Sequence, residues 1–168
     1  MKRHISKIGL LCHPKLITKP SIIHKVVNWA LKNNIEVYIE QKMAESLEMQ
    51  HLAMPRTKMG NLADMIVVIG GDGSILECVR AFAVYAIPVA GINVGHLGFL
   101  TVGKARRAIS ILKKIYLGQY RIENRIMLEA IIYRKGKSIF RGIALNDVVI
   151  TKGPVLRLID IEISISGT

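Results

Sequence analysis

The chain has 168 residues, 51% of them apolar, enough for a real core and for one domain or one and a half. Lys and Arg outnumber Asp and Glu by 24 to 12, and the resulting net charge of +12 favours anionic partners such as nucleotides, polyphosphate or nucleic acid. The basic residues are spread along the chain with few aromatics among them to stack on bases, which argues against a nucleic-acid partner. No apolar run reaches the roughly 18 residues that a membrane-spanning helix needs, so no membrane partner is expected.

The N-terminus, Met1 to Lys7, is basic, but Ile8 to Cys12 is too short for the core of a signal peptide, and a cytosolic protein is expected. Lys7 to His13 predicts a buried strand stopped at Pro14. Ser21 is then expected to cap a helix whose apolar positions Ile22, Ile23, Val26, Val27, Ala30 and Leu31 follow the helical period, ended by Asn33 and Asn34. Ile35 to Glu40 alternates as a second strand. Gln41 to Ala53 reads as helical, and Arg56 to Asp64 as a connection.

Met65-Ile66-Val67-Val68-Ile69 is a continuous apolar strand, as in a parallel sheet covered on both faces. A helix over Ser74 to Ala86, a strand over Pro88 to Ile92 and a helix over Lys104 to Leu117 follow. This alternation predicts an α/β fold with a doubly wound, mostly parallel sheet. The pattern then changes. Tyr120 to Arg134, Lys137 to Thr151 and Leu156 to Ser166 read as strands, with a hairpin turn at Arg134 to Lys137. Ile159, Ile161, Ile163 and Ile165 alternate with polar residues as a half-buried strand. A boundary is expected near Gly118 to Arg121, followed by the start of an all-β, sandwich-like domain. Cys12 and Cys78 lie far apart in apolar surroundings and read as free, buried thiols.

Two glycine clusters carry the chemistry. Gly70-Gly71-Asp72-Gly73-Ser74 stands between a strand and a helix, where unpaired N–H groups at a helix start bind phosphate. Its glycines leave room for a phosphate and permit positive φ, and Ser74 is expected to cap the helix. Asp72 is an unusual neighbour for phosphates. It could accept a proton from an attacking hydroxyl, help hold Mg²⁺, or only cap the helix. The second cluster, Gly91 to Thr101, follows the next strand and is expected beside the first, beyond the carboxyl ends of the strands. Phe99 could wall a base or sit in the core, and His96 could meet phosphate or be an ordinary loop histidine. Gly98 to Lys104 fits G-x-x-x-x-G-K, but Ala105 follows where Ser or Thr should bind Mg²⁺, so it is rejected as a P-loop.

Gly70 to Ser74 resembles the signature shared by NAD kinases, diacylglycerol and sphingosine kinases and 6-phosphofructokinases. Gly91-Ile92-Asn93-Val94-Gly95-His96-Leu97-Gly98-Phe99-Leu100-Thr101 and Ala144-Leu145-Asn146-Asp147-Val148-Val149-Ile150 resemble the NAD kinase versions alone. Arg125 with Met127 to Ala130, Leu156 to Ile163 after Gly153-Pro154, and the opening strand ending in His13-Pro14 are also similar to that family. The resemblance implies transfer of the γ-phosphoryl of ATP (or polyphosphate) to the 2′-hydroxyl of the adenosine ribose of NAD, with Mg²⁺ as cofactor. It implies that Asp72 is the general base, and that Gly70, Gly71, Gly73 and Ser74 form the phosphate loop. It also implies that Gly73 and its neighbours hold the NAD pyrophosphate and the donor phosphates, that Phe99 lines the adenine pocket, and that Asp72, Asn146, Asp147 and Arg157 contact the NAD. Residues alone would make Asn146-Asp147 a turn.

On this resemblance residues 1–119 are the nucleotide-binding kinase domain. Residues 120–168 are the first part of a β-rich NAD-binding domain in a longer, homo-oligomeric enzyme, because a later Thr/Ser/Gly-rich motif and further strands of the family are missing. Ser74 stands where Thr is commoner, and Val102 where many relatives have Asp. The alternatives are a lipid kinase of the diacylglycerol type and a non-catalytic, degenerate nucleotide-binding protein.

Overall fold

The structure is a computed structural model that describes residues 4–18, 20–95, 98–151 and 160–165. The chain divides into two compact units, Met1–Ile126 and Met127–Thr168. No helix among the described residues is long and apolar enough to cross a membrane.

In the first unit the strands are β1 (Lys7–Cys12), β2 (Glu36–Glu40), β3 (Ala53–Met54), β4 (Met65–Ile69), β5 (Val89–Asn93) and β6 (Thr101–Lys104). They form one sheet in the order β3-β2-β1-β4-β5-β6, and every pair is parallel. The helices between and after them are α1 (Ser21–Lys32), α2 (Gln41–Ser46), α3 (Arg56–Leu62), α4 (Asp72–Phe82) and, following β6, α5 (Ala108–Tyr116).

Both faces of the sheet are covered, and the strand period of two assigns each side chain to a face. Met65, Val67 and Ile69 of β4 join Ile8 and Leu10 of β1 in one layer with Ile23, Val26 and Ala30 of α1 and Leu112 of α5. Ile66 and Val68 join Leu11 in the other layer with Met59 of α3 and Ile75, Cys78 and Phe82 of α4. All five residues of β4 are buried, which is why this strand reads as an unbroken apolar run. Gly9 is the close-approach point of the sheet: a Cβ there would run into Met59 and Ile66.

Several expected boundaries are corrected. Pro20 holds the cap position of α1 and Ser21 is the first helical residue, so the serine does not cap. The helix expected over 41–53 stops at Ser46, and Ala53 and Met54 pair with Ile39 and Glu40 as a two-residue edge strand. Arg56 to Leu62, read as a connection, is a helix. Gly60 hides its signal, and is required because a Cβ would strike the Tyr85 ring. Thr101 to Lys104 is a strand, and the last helix, expected from Lys104, begins only at Ala108 after a short 3₁₀ turn.

The second unit is a hairpin of β7 (Leu128–Arg134) and β8 (Lys137–Ala144), paired antiparallel. Lys135 and Gly136 both have positive φ (50° and 72°), the geometry a two-residue hairpin turn demands. The strands expected over 120–134 and 137–151 are thus shorter. The strand expected over 156–166 is not present at 160–165, where Ile161 and Ile163 are exposed; its earlier part lies outside the described residues. An alternating segment becomes a strand only where another strand takes up its N–H and C=O groups.

Candidate active site

The sheet order places a topological switch between β1 and β4, because the chain leaves these neighbours toward opposite edges. In open α/β sheets ligands bind at such a point, beyond the carboxyl ends of the strands. A cleft of about 400 Å³ lies there. It is lined after β1 by His13, Lys15 and Leu16, after β4 by Gly70, Gly71 and Asp72, and after β5 by Asn93, Val94, Gly95 and Gly98. Two bonds lace these strand ends together. The His13 N–H donates to the Ile69 carbonyl and the Gly70 N–H to the Ile92 carbonyl, each at 2.9 Å.

The glycine turn works differently from its sequence expectation. α4 starts at Asp72 with Gly71 as its cap, two residues earlier than expected, so Ser74 lies inside the first turn and does not cap the helix. Its Oγ is buried and has no hydrogen-bond partner among the described residues. None of Gly70, Gly71 and Gly73 has positive φ. Only Gly70 is required by its neighbours, since a Cβ there would meet the Ser74 hydroxyl; at Gly71 and Gly73 it would meet nothing, and both positions face open space. The Asp72 and Gly73 amides that open α4 have no carbonyl one turn back, whereas the Ser74 N–H donates to the Gly71 carbonyl at 3.0 Å; the helix dipole adds positive potential at this cleft wall.

Asp72 does not turn back to cap its own helix. Its Oδ2 accepts the Phe99 N–H at 2.8 Å and its Oδ1 accepts the Leu100 N–H at 3.1 Å. The carboxylate therefore joins the two glycine clusters. Gly98 permits this, because a Cβ there would collide with the Asp72 carboxyl group. The second cluster is further fixed by Asn93 Oδ1 accepting the Gly95 N–H at 2.6 Å and by Thr101 Oγ1 accepting the Gly98 N–H at 3.3 Å. Phe99 is 96% exposed, so it is not a core residue and its ring is free to meet a ligand. The rejected P-loop, Gly98 to Lys104, ends in strand β6 instead of entering a helix.

Asn146 and Asp147 are exposed and follow β8 at a bend over Leu145 and Asn146. A strand end is where neighbouring side chains escape the opposite-face rule. Arg157 and His96 lie outside the described residues. The sequence reading missed Lys15 and Asn93 as cleft residues. His13-Pro14, at the end of a buried strand, was the available signal for the first. Asn93 is only 3% exposed, a buried polar side chain that the loop turn requires. No group of three or more His, Cys, Asp and Glu side chains that could hold a metal occurs among the described residues.

Comparisons with known proteins identify relatives of this chain. The family described as the ATP-NAD kinase N-terminal domain matches residues 8–120. The chain is 39% identical over 160 residues to an NAD kinase of Natranaerobius thermophilus, covering 95% of this chain and 56% of that one. It is 34% identical over 169 residues to an NAD kinase of Azoarcus sp., covering 99% and 58%. The chain thus spans somewhat over half the length of these curated relatives. Its fold is similar to that of yeast NADH kinase in a crystal structure with NADH, with a TM-score of 0.68 and 19% identity, over 86% of this chain and 48% of that one. The match over most of the chain, with both glycine clusters converging on Asp72 at the switch point, places this chain in the NAD kinase family.

Proposed function

We propose that the protein carrying this chain transfers the terminal phosphoryl group of ATP, or of polyphosphate, to the 2′-hydroxyl of the adenosine ribose of NAD, making NADP. The observation that carries this reading is the Asp72 carboxylate between the two glycine clusters at the mouth of the switch-point cleft. Phosphoryl transfer needs positioning and charge stabilisation more than covalent catalysis, and one well-placed acceptor suffices for the hydroxyl proton.

Asp72 is the proton acceptor. A carboxylate offers about four lone-pair directions, and the two amides occupy two, leaving room for a ribose hydroxyl. As the proton passes to Asp72, the ribose oxygen bonds to phosphorus and the bond from phosphorus to the departing phosphate breaks. Gly70, Gly71, Gly73 and the open helix start receive phosphate oxygens, with Ser74 beneath them. Phe99 lines the adenine pocket, and Asn146, Asp147 and Arg157 are the NAD contacts of residues 120–168, the NAD-binding part of a longer enzyme. The described residues form no protein cage for Mg²⁺; Asp72 is the one acid lining the cleft. An ion carried in on the donor triphosphate would neutralise phosphate charge there. A cytosolic, homo-oligomeric enzyme is part of the same proposal.

The test supplies the longer protein with labelled ATP and either NAD or a lipid diol. Label appearing in NADP alone supports the reading. Label in the lipid, or none in either acceptor, overturns it.

A further inference from the structure

We propose that Lys15 is the cationic contact of this cleft for a condensed phosphate chain, with His13 as its neighbouring donor. The inference rests on the phosphoryl-transfer reading and deepens it. Among the described residues lining the cleft, Lys15 and Asp72 carry the formal charges, apart from a histidine when protonated. Both Asp72 oxygens are engaged by the Phe99 and Leu100 amides. Among the described residues, Lys15 has no carboxylate within ion-pair distance. An unpaired lysine beside an open helix start is a combination that suits a polyanion and has no evident structural purpose.

The backbone under Lys15 is held firmly. Pro14 opens a 3₁₀ turn whose bonds run from the Leu16 N–H to the His13 carbonyl (2.8 Å) and from the Ile17 N–H to the Pro14 carbonyl (3.1 Å). The Thr18 hydroxyl donates to the Lys15 carbonyl at 3.0 Å, and the Lys15 N–H donates to His13 Nδ1 at 3.2 Å. With Nδ1 as acceptor, the ring hydrogen of neutral His13 sits on Nε2, which gives the cleft a second donor. The bond from the His13 N–H to the Ile69 carbonyl seats the whole turn against the end of β4, next to Gly70. Lys15 is exposed, so its charge keeps its hydration until a ligand arrives.

The shared ligand chemistry is a chain of linked phosphates, which either the donor triphosphate or the pyrophosphate of NAD supplies. The test titrates the 168-residue chain with inorganic tripolyphosphate in a calorimeter. Lys15→Met weakens binding about tenfold or more, as the loss of one charged contact does, while Lys15→Arg stays within about threefold. Lys113→Met, a charge loss on α5, leaves it unchanged. Wild-type binding that Lys15→Met does not weaken, or that Lys113→Met weakens equally, overturns the proposal, as does a wild-type chain that binds no tripolyphosphate.

In the longer protein, Lys15→Met raises KM for ATP if the contact is with the donor, or KM for NAD if it is with the pyrophosphate. Neither moving is a second way to overturn it. Should the wild-type longer protein make no NADP, the phosphoryl-transfer reading fails separately, and the tripolyphosphate titration still judges Lys15.

Discussion

Gly98→Ala probes the join between the two glycine clusters. The added methyl would occupy space now filled by the Asp72 carboxyl group. The obstacle is the end of a side chain, not backbone, so the cheapest response is rotation of Asp72 away from the loop with the fold retained. That rotation breaks both bonds to the Phe99 and Leu100 amides. A hydrogen bond to a charged group contributes about 1.5 kcal/mol at the low end suited to this partly exposed site, so the pair holds the loop by roughly 3 kcal/mol. At about 1.4 kcal/mol per factor of ten, that is on the order of a hundredfold in the local opening equilibrium. Amide hydrogen exchange reads this directly. The Phe99 and Leu100 amides should exchange about a hundredfold faster in Gly98→Ala, while amides of β4, buried on both faces, keep their protection. Unchanged exchange at Phe99 and Leu100 would refute the role given to Gly98, and equal loss of protection in β4 would show that the substitution unfolds the sheet instead.

Two further predictions concern the core. Phe82 is 1% exposed in the layer with Met59, Ile66 and Val68, so Phe82→Ala should cost about 3–5 kcal/mol in denaturant unfolding; a cost under about 1 kcal/mol would contradict the two-layer core. Burial pushes the Cys78 thiol up to about 12, with Arg56 pulling it down and Glu77 pushing it up. The unfolded chain ionises this thiol near 9 while the folded chain keeps it neutral, so its contribution to stability is intact below pH 9 and declines as pH rises toward 12. Between pH 8 and 10 the wild type should lose roughly 1 kcal/mol more than Cys78→Ala in denaturant unfolding, and equal losses would contradict the burial of the thiol.

Much of the first unit is legible because burial and periodicity coincide. Met65 to Ile69 reads as a central strand since both its faces are covered, and the turn after it leads straight to Asp72. What escapes the sequence has local causes. β3 is two residues long, Gly60 interrupts the apolar stripe of α3, and Gly103 interrupts β6 where a Cβ would press on Ile111. Gly60 is set by Tyr85, distant in sequence, and Gly103 by Ile111 on the following helix, contacts that periodicity does not report. The same holds at the site. The resemblance singles out Asp72, but its bonds to Phe99 and Leu100 arise from β4 and β5 lying side by side. Lys15 enters the cleft because β1 and β4 are neighbours despite their separation in the chain. Of the two uses of glycine expected at 70–73, positive φ is not taken up, because the turn enters α4 directly at Asp72.

In the proposed reaction Asp72 accepts the ribose hydroxyl proton, while most of the contacts that hold NAD come from other residues. Asp72→Asn in the longer protein, assayed for NAD binding by calorimetry and for NADP formation from ATP, tests this most directly, because the amide oxygen still accepts one loop N–H but is no base. Binding should stay within about tenfold while turnover falls by a factor of about 10² to 10⁴, the usual contribution of a general base. Turnover close to that of the wild type, with binding intact, would show that Asp72 is not the base.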